Sequence, residues 1–150
     1  MKQEYEVELY ILLGKTTDLI KKAREKELVS SGITATQAAV ITAITEMGGV
    51  TNSEQISQRT MRERHTVHEL LGRMEKAGLV EKLNVYKRKN RVKVVLAPKG
   101  LEAIDLISER KSIRKIMKSL SEGQLRQFET CLKILYNAAL KEFGSSDKAP

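Results

Sequence analysis

The residues with the most chemistry at the closest spacing are Arg64, His65, His68 and Glu69. If the segment is helical, positions three and four apart share a face, so His65, His68 and Glu69 stand together with Arg64 at their edge. Two imidazoles and a carboxylate are metal-ligating types, but a metal site needs a third or fourth converging ligand with supporting hydrogen bonds. These are the only two histidines, and Cys131 is the only cysteine. A thiolate zinc cluster and an intramolecular disulfide are therefore excluded, and neither a metal nor another cofactor is expected. No phosphate-cradling glycine loop and no nucleophile with a base placed by sequence is present, so an enzyme is not expected either. What remains is hydrogen bonding from a polar, exposed helix crest to a partner.

The charge distribution says what kind of partner. The 150 residues carry a net charge of +8. Between Met61 and Lys93, ten basic residues (Arg62, Arg64, Arg73, Lys76, Lys82, Lys87, Arg88, Lys89, Arg91 and Lys93) face four acids (Glu63, Glu69, Glu75 and Glu81), so this stretch holds +6 of the total. A bare run of like charges repels itself unless an anion sits beside it, which points to a polyanionic partner. The chain is 41% apolar and 31% charged, enough to build a core under a solvated surface. No apolar run reaches the roughly 20 residues that span a bilayer, and the start, Met1 to Glu4, has no signal-peptide stretch, so a cytoplasmic protein is expected.

The elements that must position these groups follow from periodicity. Tyr5, Leu9, Leu12, Thr16, Leu19, Ile20 and Ala23 recur at helical spacing and predict a long helix over about Gln3 to Lys26. After Gly32, Thr34 and Gln37 form a capping-box spacing that opens a second helix to about Met47, stopped by Gly48 and Gly49. Thr51 and Glu54 repeat the spacing and predict a short helix over about Asn52 to Arg59, anchored by Ile56. Val67, Leu70, Leu71 and Met74 then line one face of a helix from about Arg64 to Ala77, closed by Gly78. The period changes to two over Leu79 to Val85 and Arg91 to Leu96, a hairpin whose connection, Tyr86 to Asn90, is largely cationic. Pro98 opens a further helix, straight or bent, carried by Leu101, Ile104, Ile107, Ile113, Ile116 and Leu120, and Ser121 with Gln124 caps a last one with Leu125, Phe128, Leu132, Leu135 and Ala139 inward. Cys131 falls among those residues, with Lys133 its nearest basic neighbour, and is expected to be a packed structural thiol.

Helix, helix, a short helix-turn-helix and a charged hairpin is the order of a winged helix-turn-helix. With Val67, Leu70, Leu71 and Met74 inward, His65, Glu69, Gly72 and Lys76 form the outer crest, with Thr66, His68 and Arg73 on its shoulders. A major groove admits one such helix, so Arg64, His65, His68 and Glu69 are candidates for direct base readout. Glu69 is the telling member: phosphate repels a carboxylate, whereas a cytosine amino group donates to it. Thr66 and Arg73 are candidates for phosphate contacts, and Lys87, Arg88, Lys89 and Arg91 for a wing that reaches a flanking minor groove.

The segment RHTVHELLGRMEKAGLVEK, followed by the hairpin and ending in LAPKG, resembles the MarR family of bacterial and archaeal regulators. The resemblance covers about Ile33 to Gly100, and the flanking helices match that family's dimerisation elements in position and length. Where relatives often carry Asp-x-Arg near the wing tip, this chain has Arg88 and Asn90, and Ala97 stands where a threonine is common. The fold expected is mainly α with a small β-hairpin: a dimerisation helix over 1–32, the winged module over 33–100, dimerisation helices over 101–143 and a polar tail over 144–150. The resemblance implies a homodimeric repressor of a pseudo-palindromic operator in double-stranded DNA, released by a small aromatic effector. A basic module that docks on an acidic protein or membrane surface is the rival reading.

Overall fold

The computed structural model describes residues 2–84 and 92–144. The chain divides into two compact units, Met1–Ser112 and Ile113–Pro150. Along the chain run helix α1 (Lys2–Leu28), a 3-10 turn (Val29–Ser31), α2 (Ala35–Glu46), strand β1 (Val50–Thr51), α3 (Ser53–Thr60), α4 (Arg64–Lys76), β2 (Val80–Asn84), β3 (Val92–Leu96), α5 (Pro98–Glu109), α6 (Lys111–Met117) and α7 (Glu122–Phe143).

The capping box at the start of α2 forms in full. The Gln37 N–H donates to Thr34 Oγ1 at 3.1 Å, and the Thr34 N–H donates to Gln37 Oε1 at 3.0 Å. Two of the four donors a helix start leaves open are thus satisfied. The box expected from Thr51 and Glu54 does not form. Asn52 is the cap, accepting from the Gln55 N–H at 2.9 Å, because Thr51 is drawn into a strand. Gly48 and Gly49, both at positive φ, turn the chain out of α2, and Val50 and Thr51 then pair antiparallel with Val95 and Val94. The expected hairpin is therefore extended to a three-stranded sheet in the order β1-β3-β2, with Val80 opposite Leu96 and Asn84 opposite Val92.

One apolar cluster holds the first unit together. Ile41 and Ile44 from α2, Ile56 from α3, Val67, Leu71 and Met74 from α4, Val80 and Val94 from the sheet, and Ile107 from α5 are almost fully buried. Helix α5 approaches the sheet closely at Gly100, where a Cβ would stand 2.2 Å from the Leu79 carbonyl oxygen. Any side chain there would force α5 off the start of β2. Ala97 caps α5 without a side-chain hydrogen bond, and Pro98 occupies the first turn, where its missing N–H costs nothing.

The second unit is less enclosed. Helix α7 has its own complete capping box, Ser121 with Gln124, and ends at Gly144 in the left-handed region. None of its residues is buried: Phe128, Leu132 and Leu135, expected to face inward, are exposed, and so is Cys131, expected to be packed. The periodicity was a true sign of an apolar face, but that face of α7 is exposed.

The helix predicted to run from Pro98 through Leu120 breaks at Arg110, whose φ of +46° lies in the left-handed region. The break is held by α1. Buried Arg24 donates through Nη2 to the Ile107 carbonyl at 2.8 Å and through Nη1 to Glu27 at 3.0 Å. Glu27 in turn accepts from the Lys111 N–H and the Ser112 hydroxyl, each at 2.6 Å, acting as a cap for α6 from a distant part of the chain. Burial alone would raise the pKa of Glu27, but the bonds from Ser112, Arg24 and the Lys111 and Ser112 N–H groups outweigh it and hold the carboxyl at about 2 instead of 4.5. A depressed carboxylate pKa contributes stability that is fully present above the unfolded value and lost as pH falls through the folded one. Glu27→Gln is therefore expected to destabilise the protein by about 2 kcal/mol at neutral pH. In denaturant unfolding followed across pH, the gap from wild type should narrow below about 4.5 and close near 2.

Candidate nucleic-acid interface

The crest of α4 is set by what its other side buries. Val67, Leu70, Leu71 and Met74 pack inward, which leaves Arg64, His65, His68, Glu69, Arg73 and Lys76 exposed and Thr66 half-buried. The turn that precedes α4 is tight. Met61 closes α3 at a φ of +53°, the Arg62 N–H donates to the Ser57 carbonyl at 3.1 Å, and the Ser57 hydroxyl donates back to the Arg62 carbonyl. This reciprocal pair fixes the angle at which α4 leaves α3, as a helix-turn-helix requires.

Arg64, His65, His68 and Glu69 line a single groove of about 700 Å³. Its other walls are Asn52, Ser53 and Glu54 at the start of α3, and Lys82, Val92 and Val94 from β2 and β3. Four elements, α3, α4, β2 and β3, thus converge on one concave surface, and the base of the β2–β3 ribbon stands beside the crest. Thr66 and Arg73 lie on α4 outside this groove. Lys87, Arg88, Lys89 and Arg91 fall outside the described residues.

Carboxylates already accompany two of the side chains at the groove. Arg64 Nη2 lies 2.9 Å from Glu54 Oε1, and His65 Nδ1 lies 3.2 Å from Glu63 Oε2. The Thr66 hydroxyl is 3.5 Å from His65 Nε2, at the far limit of a hydrogen bond. Sequence reasoning missed Asn52, Ser53, Glu54 and Lys82. The cap role of Asn52 is a local signal that one residue's difference in register obscured, whereas the pairing of Glu54 with Arg64 has no local signal. Among the described residues, no group of three or more His, Cys, Asp or Glu side chains could hold a metal ion.

Residues 31–86 match the model of the MarR family. No curated protein matches the chain. Among solved structures, the chain is similar to the organohalide-sensing transcriptional regulator RdhR-CbdbA1625 in its 2,4-dichlorophenol-bound form, at 23% identity and a TM-score of 0.86, covering 96% of this chain and 86% of that one. A MarR family protein from Bacillus stearothermophilus is 26% identical, with a TM-score of 0.68 over 93% of this chain and 98% of that one. A mutant MarR from E. coli complexed with operator DNA is 19% identical, with a TM-score of 0.77 over 86% of this chain and 94% of that one. The order of elements, the crest and sheet on one groove, the matched segment and the shared architecture agree: the chain has the winged helix-turn-helix fold of the MarR structures it is similar to.

Proposed function

We propose that the chain is a sequence-specific regulator of transcription that binds a pseudo-palindromic operator in double-stranded DNA as a homodimer, and that it represses until a small aromatic molecule releases it. The observation that carries this reading is the shared groove: Arg64, His65, His68 and Glu69 open onto the same surface as the base of the β2–β3 ribbon. A helix crest of that polarity enters a major groove with its first turns against base edges. In this reading Arg64 pairs with a guanine edge, Glu69 accepts from a cytosine amino group, and His65 and His68 complete the readout. Arg73 and Thr66 hold phosphates and set register, while Lys87, Arg88, Lys89 and Arg91 extend the cationic surface to a flanking minor groove.

Two further features support the regulatory part. Tyr5, Leu9, Tyr10, Leu12 and Leu19 on α1 are exposed, as are Phe128 and Leu135 on α7, and large apolar side chains left open in this number mark surfaces that a partner covers. A second copy that covers them would set the two α4 helices one DNA turn, roughly 34–36 Å, apart. A cavity of about 530 Å³ lies among the start of α2 (Gln37), the end of α4 (Ala77) and α5 (Lys99, Glu102, Leu106). That is a volume suited to a small aromatic compound. A ligand there touches the residue that ends α4, and it acts if it binds better to the dimer geometry that does not fit DNA. The 2,4-dichlorophenol bound to the similar RdhR-CbdbA1625 structure supports an effector of this class.

The experiment is selection of bound fragments from random duplex DNA, followed by titration of the selected site. Glu69→Ala is expected to relax preference at one base pair per half-site, a loss of roughly 1–3 kcal/mol of discrimination. Arg73→Ala should instead weaken all sequences alike and reduce the slope of log K against log salt by about 1. Identical specificity profiles for wild type and Glu69→Ala would remove the readout role. For assembly, a Leu9→Asp, Leu12→Asp double variant should sediment at half the wild-type mass and lose most operator affinity; an unchanged mass would contradict the dimer.

A further inference from the structure

The Glu54–Arg64 pair bridges α3 and α4 at the wall of the groove, ten residues apart in sequence and 2.9 Å apart in space. Its side chains retain 69% (Arg64) and 58% (Glu54) of their exposure, so both remain accessible to an incoming partner. As a stabilising contact such an exposed pair contributes little. Its place beside the readout crest gives it a different consequence.

We propose that Glu54 is a specificity-determining residue that acts through Arg64, holding the guanidinium toward base edges and penalising its use as a phosphate clamp. The inference rests on the DNA-binding reading above. A free arginine at the start of α4 reaches phosphate and base with similar ease, and phosphate contacts carry no sequence information. A phosphate that approaches Arg64 in this geometry must also approach the Glu54 carboxylate. Like charges about 4 Å apart cost several-fold in affinity even with the screening of water. A guanine edge offers only partial negative charge at its two acceptors, so the same carboxylate repels it far less, and it can replace Glu54 as the partner of the guanidinium. Glu54 therefore lowers affinity for every duplex and lowers it most where the only contact available is the backbone. Specificity here comes from a repulsive element set against the wrong mode of binding. A carboxylate in the first turn of α3 also suits the positive end of that helix, but this role does not depend on Arg64.

The test compares wild type, Glu54→Gln, Arg64→Ala and the double variant on the selected operator fragment and on random duplex of equal length, across a salt series. Glu54→Gln is expected to bind random duplex about threefold or more tightly, with a log K against log salt slope steeper by about 0.9 for one added phosphate contact. Operator affinity should change less, so the operator-to-random ratio falls, and in the Arg64→Ala background the same substitution should leave the ratio unchanged. An unchanged ratio in Glu54→Gln, a parallel loss on both duplexes, or a fall that persists without Arg64 would overturn the role assigned to Glu54. A wild-type protein with no preference for any fragment over random duplex would overturn the DNA-binding reading itself.

Discussion

Burial of Val67, Leu70, Leu71 and Met74 decides which residues of α4 the solvent sees. A helix has one orientation once a face is packed, because 3.6 residues per turn leave no freedom to present a neighbouring side chain instead. The four anchors share a core with Ile41 and Ile44 of α2, Ile56 of α3 and Val94 of β3, so the crest, the start of α3 and the base of the β-ribbon are held in one frame. Arg64, His65, His68 and Glu69 owe their common groove to that core and not to contacts among themselves. Truncating an anchor such as Leu71 would open a cavity and release the orientation together with the stability.

A second constraint acts at the far side of the same unit. Arg24 and Glu27 bring a buried ion pair to the place where α5 ends, and satisfy the Ile107 carbonyl and the first N–H of α6 in one network. Such a network is stabilising only when every member is paired. That condition is met, since no buried side-chain polar atom among the described residues lacks a partner. Arg110 is held in a left-handed conformation that costs energy for any residue but glycine, and the capping of α6 by Glu27 offsets that cost. No single helix among the described residues is long and apolar enough to cross a membrane.

What could be read in the sequence was what depends on neighbours within one or two turns. The capping boxes at Thr34 and Ser121, the glycine stop at Gly78 and the buried face of α4 are all local patterns, and each is found where its spacing put it. Pairings between distant segments left no such trace. Strand β1 is two residues long and exists because β3 has an open edge, and its formation displaced the expected cap from Thr51 to Asn52. The break at Arg110 depends on two side chains more than eighty residues earlier. On α7 the apolar period was legible but its covering was not, since periodicity reports that a face is apolar and is silent on what meets it. The candidate site divides in the same way: the α4 crest follows from one helix, whereas Glu54 and Lys82 join it only through the tertiary fold.

The proposed function places the α4 crest against DNA. His65 and His68 are the chain's two histidines and both are exposed on that crest, so the histidine product of diethylpyrocarbonate, followed separately from lysine, tyrosine and cysteine adducts, reports on the crest. With the selected operator duplex in excess, both imidazoles should be protected while binding persists, and raising salt until the complex dissociates should restore their reactivity. Histidines modified at the same rate in the bound and the free protein would contradict the account.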